Sequence, residues 1–217
     1  MRRENGIVLA LDVEDKDRAL GIAGEVVDHI DAIKVGYPLI LSSGMSVLRE
    51  MKGLGKPVIA DLKVADIPVI SSRICKLASD SDYVIVHGFV GEDVVAECSK
   101  VASIFVVAEM SHPGAMEYMG RLSDELASMA ARYAVGIIAP ATRPDRVKRL
   151  RSIVGDLLIL SPGVRAQGAG VGDAIRAGAD YEIIGRGIYE ADDPRRAAEG
   201  FSRTLKAIIN SDESSSG

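Results

Sequence analysis

The segment Asp61-Leu62-Lys63-Val64-Ala65-Asp66-Ile67-Pro68 sets three charged side chains directly after the apolar run Pro57-Val58-Ile59-Ala60. That run is short, β-branched and bounded by Gly55-Lys56 upstream and Ile67-Pro68 downstream, so it reads as a buried strand ending at the charges. Asp61 and Lys63 are two residues apart, and on an extended backbone such side chains share a face. Charges gathered at the end of a buried strand cost free energy unless they pair or act on a ligand. With Asp12, Lys34 and Asp66 they can make one alternating array of acids and bases. In such an array each Lys is held protonated and each Asp ionised, because every charge has an opposite neighbour. A lysine held cationic in that way can give a proton to a developing carbanion, but it is a poor nucleophile. The competing interpretation is a purely structural ion-pair network at the rim of the fold.

Two further groups stand out. Ser161-Pro162-Gly163-Val164-Arg165-Ala166-Gln167-Gly168 follows one late apolar run, and Gly185-Arg186-Gly187 follows the next. Glycines let backbone N–H groups approach an anion closely, and a helix N-terminus adds a favourable dipole. Arg186 adds a fork of donors suited to phosphate oxygens, so phosphate binding competes here with simple turn-making. The segment Glu109-Met110-Ser111-His112-Pro113-Gly114-Ala115-Met116 has the Pro and Gly content of a lid, or of a loop that merely crosses the top of the fold. His87 reads as a satisfied buried imidazole rather than a ligand contact, and His29 as a surface residue. Neither His87 nor His112 has HxH or HxxxH spacing, so no histidine-built metal site is expected.

These groups need a scaffold that brings them to one place. Short apolar runs fall near Ile7–Leu11, Ala32–Val35, Val58–Ala60, Tyr83–Val86, Ser103–Ala108, Val135–Ile138, Leu157–Leu160 and Tyr181–Ile184. Amphipathic segments lie between them, among them Lys16–His29, Leu39–Met51, Ile70–Ser79, Leu122–Arg132 and Pro144–Val154. Strand then helix, repeated eight times, predicts a closed (β/α)₈ TIM barrel, whereas a doubly wound open sheet more often uses five or six strands. Asp12, Lys34, Asp61, Lys63, His87, Glu109, Ser111, Thr142, Arg143, Ser161 and the glycines after the last two strands all fall in or just after strands. The C-terminal ends of the strands are where such a barrel keeps its active site, and the N-terminal ends carry nothing comparable.

Composition narrows the class. A chain of 217 residues that is 47% hydrophobic and 26% charged suits one soluble α/β domain, expected over 1–209 with a disordered tail at 210–217. The net charge of -5 and the absence of Trp argue against nucleic acid or an anionic membrane as the main partner. No apolar stretch approaches ~20 residues, and residues 1–5 lack the apolar core of a signal peptide. Cys75 and Cys98 have no CxxC spacing and are expected to be buried free thiols in a reducing cytoplasm.

Taken in chain order, these motifs resemble the orotidine 5′-monophosphate decarboxylase family, with a close match to its archaeal branch. The resemblance rests on Ala10-Leu11-Asp12, Lys34-Val35-Gly36-Tyr37-Pro38, the DxKxxDIP run at 61–68, Val86-His87-Gly88-Phe89, Glu109 to Gly114, Ser161 to Val164 with Gln167-Gly168, and Gly185 to Tyr189. DxKxxD is shared with a wider group of sugar-phosphate enzymes, while the SHPG loop and the DIP ending narrow it. The resemblance implies a homodimer of barrels that acts without metal or organic cofactor, with orotidine 5′-monophosphate as its small-molecule substrate. It implies that Lys63 protonates C6 of the pyrimidine as CO₂ leaves, that Asp61 sits beside the departing carboxylate, and that Lys34 holds Asp61 and a ribose hydroxyl. Asp66 would reach across the dimer interface to the partner's site. Asp12 would bind the ribose, Ser111 the pyrimidine edge, and Gln167 with Arg186 the phosphate, while Ile67, Pro162 and Gly185 would complete the substrate-binding surface. Gln167 would also contact Ser111 in the closed state. One departure is Ile70, which stands where relatives are expected to carry a Thr that assists ribose binding. The rivals are a Mg²⁺-dependent sugar-phosphate enzyme of the same wider group and a phosphate-ligand binder that has lost turnover.

Overall fold

Every position of the strand Ile7–Leu11 is buried, and the same holds for Ala32–Gly36. That is the pattern of strands covered on both faces, as in a parallel sheet wrapped by helices. In the computed structural model, which describes residues 1–165 and 167–215, the strands are β1 (Ile7–Leu11), β2 (Ala32–Gly36), β3 (Val58–Val64), β4 (Tyr83–His87), β5 (Ile104–Val107), β6 (Gly136–Ile138), β7 (Leu158–Pro162) and β8 (Tyr181–Ile184). Ala166 of the glycine-rich segment and Ser216 and Gly217 of the expected tail lie outside the described residues. Each strand pairs in parallel with the next, and β8 returns to β1, closing the barrel. The predicted (β/α)₈ TIM barrel is therefore the fold.

The helices are α1 (Lys16–Val26), α2 (Tyr37–Ser43), α3 (Val47–Lys52), α4 (Pro68–Leu77), α5 (Glu92–Ser99), α6 (Met119–Tyr133), α7 (Pro144–Val154), α8 (Asp173–Arg176), α9 (Arg186–Tyr189) and α10 (Pro194–Ser215). The single helix expected over 39–51 is two, because Gly44 (φ +78°) ends α2 in a conformation that other residues rarely adopt. Proline opens α4 and α7 at a position where no backbone N–H is needed. The apolar segments read from sequence did not include α10, which packs on α1 and buries Phe201, Leu205 and Ile208. It is helical to Ser215, so the segment where the tail was expected begins within it.

The N-terminal rim of the barrel is not devoid of polar groups, contrary to expectation. Asp31, Asp82 and Asp180 stand immediately before β2, β4 and β8. Each donates its backbone N–H to the carbonyl of Ile7, Val58 or Ile159 on the preceding strand, at 2.8, 2.8 and 3.0 Å. Each carboxylate also accepts the N–H of that same residue, at 3.3, 2.9 and 2.7 Å. Asp31 collects the N–H groups of Asn5 and Gly6 as well, so it also fixes the chain entering β1. These carboxylates satisfy strand-end amides that a closed barrel would otherwise leave unpaired, a stabilising role suited to the face opposite the active site. Above them Tyr83, Phe105 and Tyr181 fill the barrel interior, and Tyr83 and Phe105 have ring centroids 5.3 Å apart.

Candidate active site

At the C-terminal ends of the strands a cavity of about 380 Å³ opens over an apolar floor. Ala10, Ile85, Val107, Ile138, Pro162 and Ile183 make the floor, one residue from each of six strands. Residues two apart on a strand face the same way, so these inward positions could have been found by aligning the strands at one level. Polar side chains ring the floor: Asp12, Lys34, Asp61 and Lys63 on one side, Ser111, Gln167 and Arg186 with Gly185 on the other. Nine of the residues expected to bind or act on substrate thus share one cavity.

The charged side is a connected chain. Lys34 Nζ lies 2.7 Å from Asp61 Oδ2 and 3.6 Å from Asp12 Oδ1. Lys63 Nζ donates to both Asp61 oxygens, at 2.8 and 2.9 Å. Lys34 and Asp61 are each 5% exposed, while the Lys63 side chain keeps 34% of its surface open toward the cavity. Burial alone would raise the Asp61 carboxyl, but Lys34 and then Lys63 overcome it and hold the group down at about 2. Burial alone would lower Lys34, and Asp61 followed by Asp12 lifts it above the ordinary lysine value instead. Asp61 and Lys34 therefore stay charged across the neutral range, with the open end of the chain at Lys63.

The backbone that sets Lys63 is irregular. β3 is longer than the apolar run suggested and includes Asp61 and Lys63, and its register to β4 shifts between Ala60 and Val64. Lys63 has φ +41°, a left-handed conformation costing a non-glycine residue of order 1–3 kcal/mol. The simple alternation expected for an extended strand is broken there, and the two side chains meet across the irregularity. The Tyr37 hydroxyl donates to the Leu62 carbonyl, pinning the backbone between them. Gly36 is equally constrained, since a Cβ there would stand 2.3 Å from Asp12 Oδ1. Tyr37, Gly36 and Tyr189 all contribute to the cavity wall, although the motif reading gave them no role.

Other expected residues lie elsewhere. Asp66 and Ile67 are exposed and line a separate shallow recess with Pro68, Val90, Asp93 and Val94. The Asp66 carboxylate accepts the N–H of Ile67 at 2.7 Å. Glu109 is no lid residue: it is fully buried and ion-paired to Arg143 at 2.8 Å and Arg146 at 3.0 Å. Arg143 continues to the Met110 carbonyl, and Thr142 Oγ1 donates to the Ser111 carbonyl at 2.9 Å, so this network anchors the loop that brings Ser111 and His112 to the cavity. His87 is not the satisfied imidazole expected. Its buried Nδ1 makes no hydrogen bond among the described residues, and its ring stacks 4.6 Å from Phe89. Burial, then Lys63, pushes its pKa down to about 4, which keeps it neutral. Among the described residues no group of three or more His, Cys, Asp or Glu side chains is placed to share a metal ion. Cys75 and Cys98 are buried free thiols.

The known proteins to which this chain is similar agree with one another. The sequence model of the orotidine 5′-phosphate decarboxylase / HUMPS family matches residues 5–201. Orotidine 5′-phosphate decarboxylase of Methanococcoides burtonii is 49% identical over 208 residues, covering 92% of this chain and 96% of its own. That of Methanosarcina barkeri is 47% identical, covering 95% and 97%. Among solved structures, orotidine 5′-monophosphate decarboxylase of Methanocaldococcus jannaschii, complexed with the inhibitor BMP, superposes with a TM-score of 0.89 at 43% identity, over 93% of this chain and 99% of that one. The Pyrococcus horikoshii enzyme gives 0.87 at 45% identity, over 92% and 99%. The Asp12–Lys34–Asp61–Lys63 chain is thus set in a barrel that matches these enzymes along nearly its whole length, and the protein belongs to the orotidine 5′-phosphate decarboxylase / HUMPS family.

Proposed function

We propose that the protein decarboxylates orotidine 5′-monophosphate to UMP in pyrimidine biosynthesis, with Lys63 as the proton donor. The observation that carries this reading is the Lys34–Asp61–Lys63 chain, which ends in an open ammonium above an apolar floor. When the C6–carboxylate bond breaks, its electron pair remains on C6 and CO₂ departs. A preorganised cation beside C6 stabilises that charge and supplies the proton that completes UMP. Asp61 holds the Lys63 ammonium in place from a buried position. Its own negative charge near the departing carboxylate disfavours the bound substrate relative to the carbanion.

On the opposite rim, Gly163, Gln167, Gly185 and Arg186 would take the phosphate. Gly163 has φ +111°, and a Cβ there would stand 2.9 Å from Thr142 Cγ2, so the loop lies tightly against the cavity wall. Binding energy gathered there, remote from C6, is available to close the site and align the base. Asp12 would hold the ribose and Ser111 the pyrimidine edge. The same reading makes the enzyme a cytoplasmic homodimer in which Asp66 serves the partner's site, in keeping with its outward position on a rim that also exposes Ile67, Val69 and Phe89.

Two measurements test this. Adding the protein to orotidine 5′-monophosphate should bleach the substrate absorbance, and EDTA should leave the rate unchanged. No bleaching, with turnover of a sugar phosphate that EDTA abolishes, would move the protein to the Mg²⁺-dependent reaction. Arg186→Ala is expected to weaken binding by ~2–4 kcal/mol, as for loss of a charged hydrogen-bond pair, mainly as a rise in KM. An unchanged KM would remove Arg186 from the phosphate site.

A further inference from the structure

Ser161 and Glu182 are opposite one another in the β7–β8 register. Their neighbours Pro162 and Ile183 face the cavity, so alternation turns Ser161 and Glu182 outward, beneath the helices. Both are 0% exposed. Glu182 Oε1 accepts the backbone N–H of Gly172 at 2.9 Å and of Ala174 at 3.3 Å, where α8 begins. Glu182 Oε2 and Ser161 Oγ are buried, and neither hydrogen-bonds to a described group.

These residues bracket one loop. Ser161 is two residues before Gly163, Gly172 closes the segment, and Gln167 lies between. Gly172 has φ +88°, and a Cβ there would stand 2.1 Å from Ile208 Cδ1, so its backbone is held between the Glu182 carboxyl and α10. We propose that Glu182 is a positioning residue that braces the C-terminal end of the segment from Gln167 to Gly172 against the barrel wall and so sets its geometry for the substrate phosphate. This rests on the assignment of that loop as the phosphate site.

The chemistry favours a neutral acid. Burial, reinforced by Asp173, pushes the Glu182 carboxyl up to about 7 despite the amides of Gly172 and Ala174, which act in the other direction. Oε1 accepts the amides, while Oε2 is buried with no hydrogen-bonding group among the described residues, a setting that suits an uncharged carboxyl better than a carboxylate. Its charged surroundings are few. Asp173 is partnered by Arg176 at 3.6 Å on α8, and Asp180 by Arg151 at the start of β8. On α10 the side chains against Gly6 and Gly172 are Leu205, Ile208 and Ile209. A carboxyl held above its ordinary value in the docked loop is one whose ionisation favours the undocked, hydrated loop. The brace is therefore tightest below the ordinary carboxyl value of 4.5, weakens as pH rises to about 7, and changes no further above that.

The test has two arms. In the first, affinities of the unaltered protein for UMP and uridine are compared. Equal affinities would remove the phosphate assignment and leave the brace nothing to position, whereas tighter UMP binding secures that assignment independently of Glu182. In the second, KM and kcat of the unaltered protein and of Glu182→Gln are followed between about pH 5 and about pH 8, with the substrate's own titration common to both. The ratio of unaltered to Glu182→Gln KM is expected to be lowest at the acid end, to rise about threefold or more by about pH 7 and to level off above it, with kcat ratios within about twofold. A ratio that stays flat across that range, or uridine affinity of Glu182→Gln that falls in step with its UMP affinity, would overturn the brace and leave Glu182 a purely structural residue.

Discussion

Lys63→Ala is expected to give a folded protein whose kcat for orotidine 5′-monophosphate is reduced about 10⁵-fold or more, combining the loss of a general acid with the loss of a preorganised charge. UMP binding should survive, because the phosphate and ribose contacts proposed for this site fall to Asp12, Gln167 and Arg186. The fold should survive as well. Lys63 is partly open, and Asp61 keeps its shorter contact to Lys34 at 2.7 Å. Alanine inherits the φ of +41°, whereas Lys63→Gly would relieve it, so the Gly variant should be the more stable by about 1 kcal/mol and equally inactive. Single-turnover kinetics with parallel denaturant melts separate these effects. Turnover within about tenfold of the unaltered protein would remove Lys63 as the acid. Loss of UMP binding along with turnover would make Lys63 a structural member of the array.

Much of this was legible in the residues, for identifiable reasons. A (β/α)₈ barrel announces itself because each strand is buried on both faces and each is followed by an amphipathic stretch, so eight apolar runs could be counted. Asp61 and Lys63 were legible because two-residue spacing at the end of such a run leaves few other roles for opposite charges. The irregularity that brings them together was not, since no glycine or proline marks a left-handed φ carried by Lys63. Glu109 was misread because a carboxylate after a strand looks the same whether it faces a ligand or two arginines from the next strand–helix connection. Asp66 and Ile67 fall outside the cavity because α4 starts at Pro68 and carries the chain away from the barrel axis. Glu182 left no signal at all. It is a lone acid in an apolar strand, and what gives it a role is the loop end that folding lays against it, ten residues earlier in the chain.

Asp61→Asn carries the second large effect, and here activity and stability fall together. The carboxylate is the centre of the chain, touching both lysines, and an amide of the same shape offers one oxygen and no charge. Lys34 would remain buried with Asp12 as its remaining anion, at 3.6 Å, and Lys63 would lose the group that fixes its Nζ. Removing one member of a buried pair is far more costly than the pair is worth, so a stability loss of about 3 kcal/mol is expected at neutral pH. A fall in kcat of about 10³-fold or more is expected as Lys63 loses orientation. The sign of the pH dependence separates this from a packing defect. The folded carboxyl titrates at about 2, below its ordinary value of 3.8, so the stability it contributes is present above about pH 4 and is lost as pH falls toward 2. The stability gap between the unaltered protein and Asp61→Asn should accordingly be widest at neutral pH and narrow through that acid window. A gap that stays constant into acid would assign the loss to shape rather than charge. A variant with neutral-pH stability and turnover close to the unaltered protein would show that the two lysines hold their positions without Asp61.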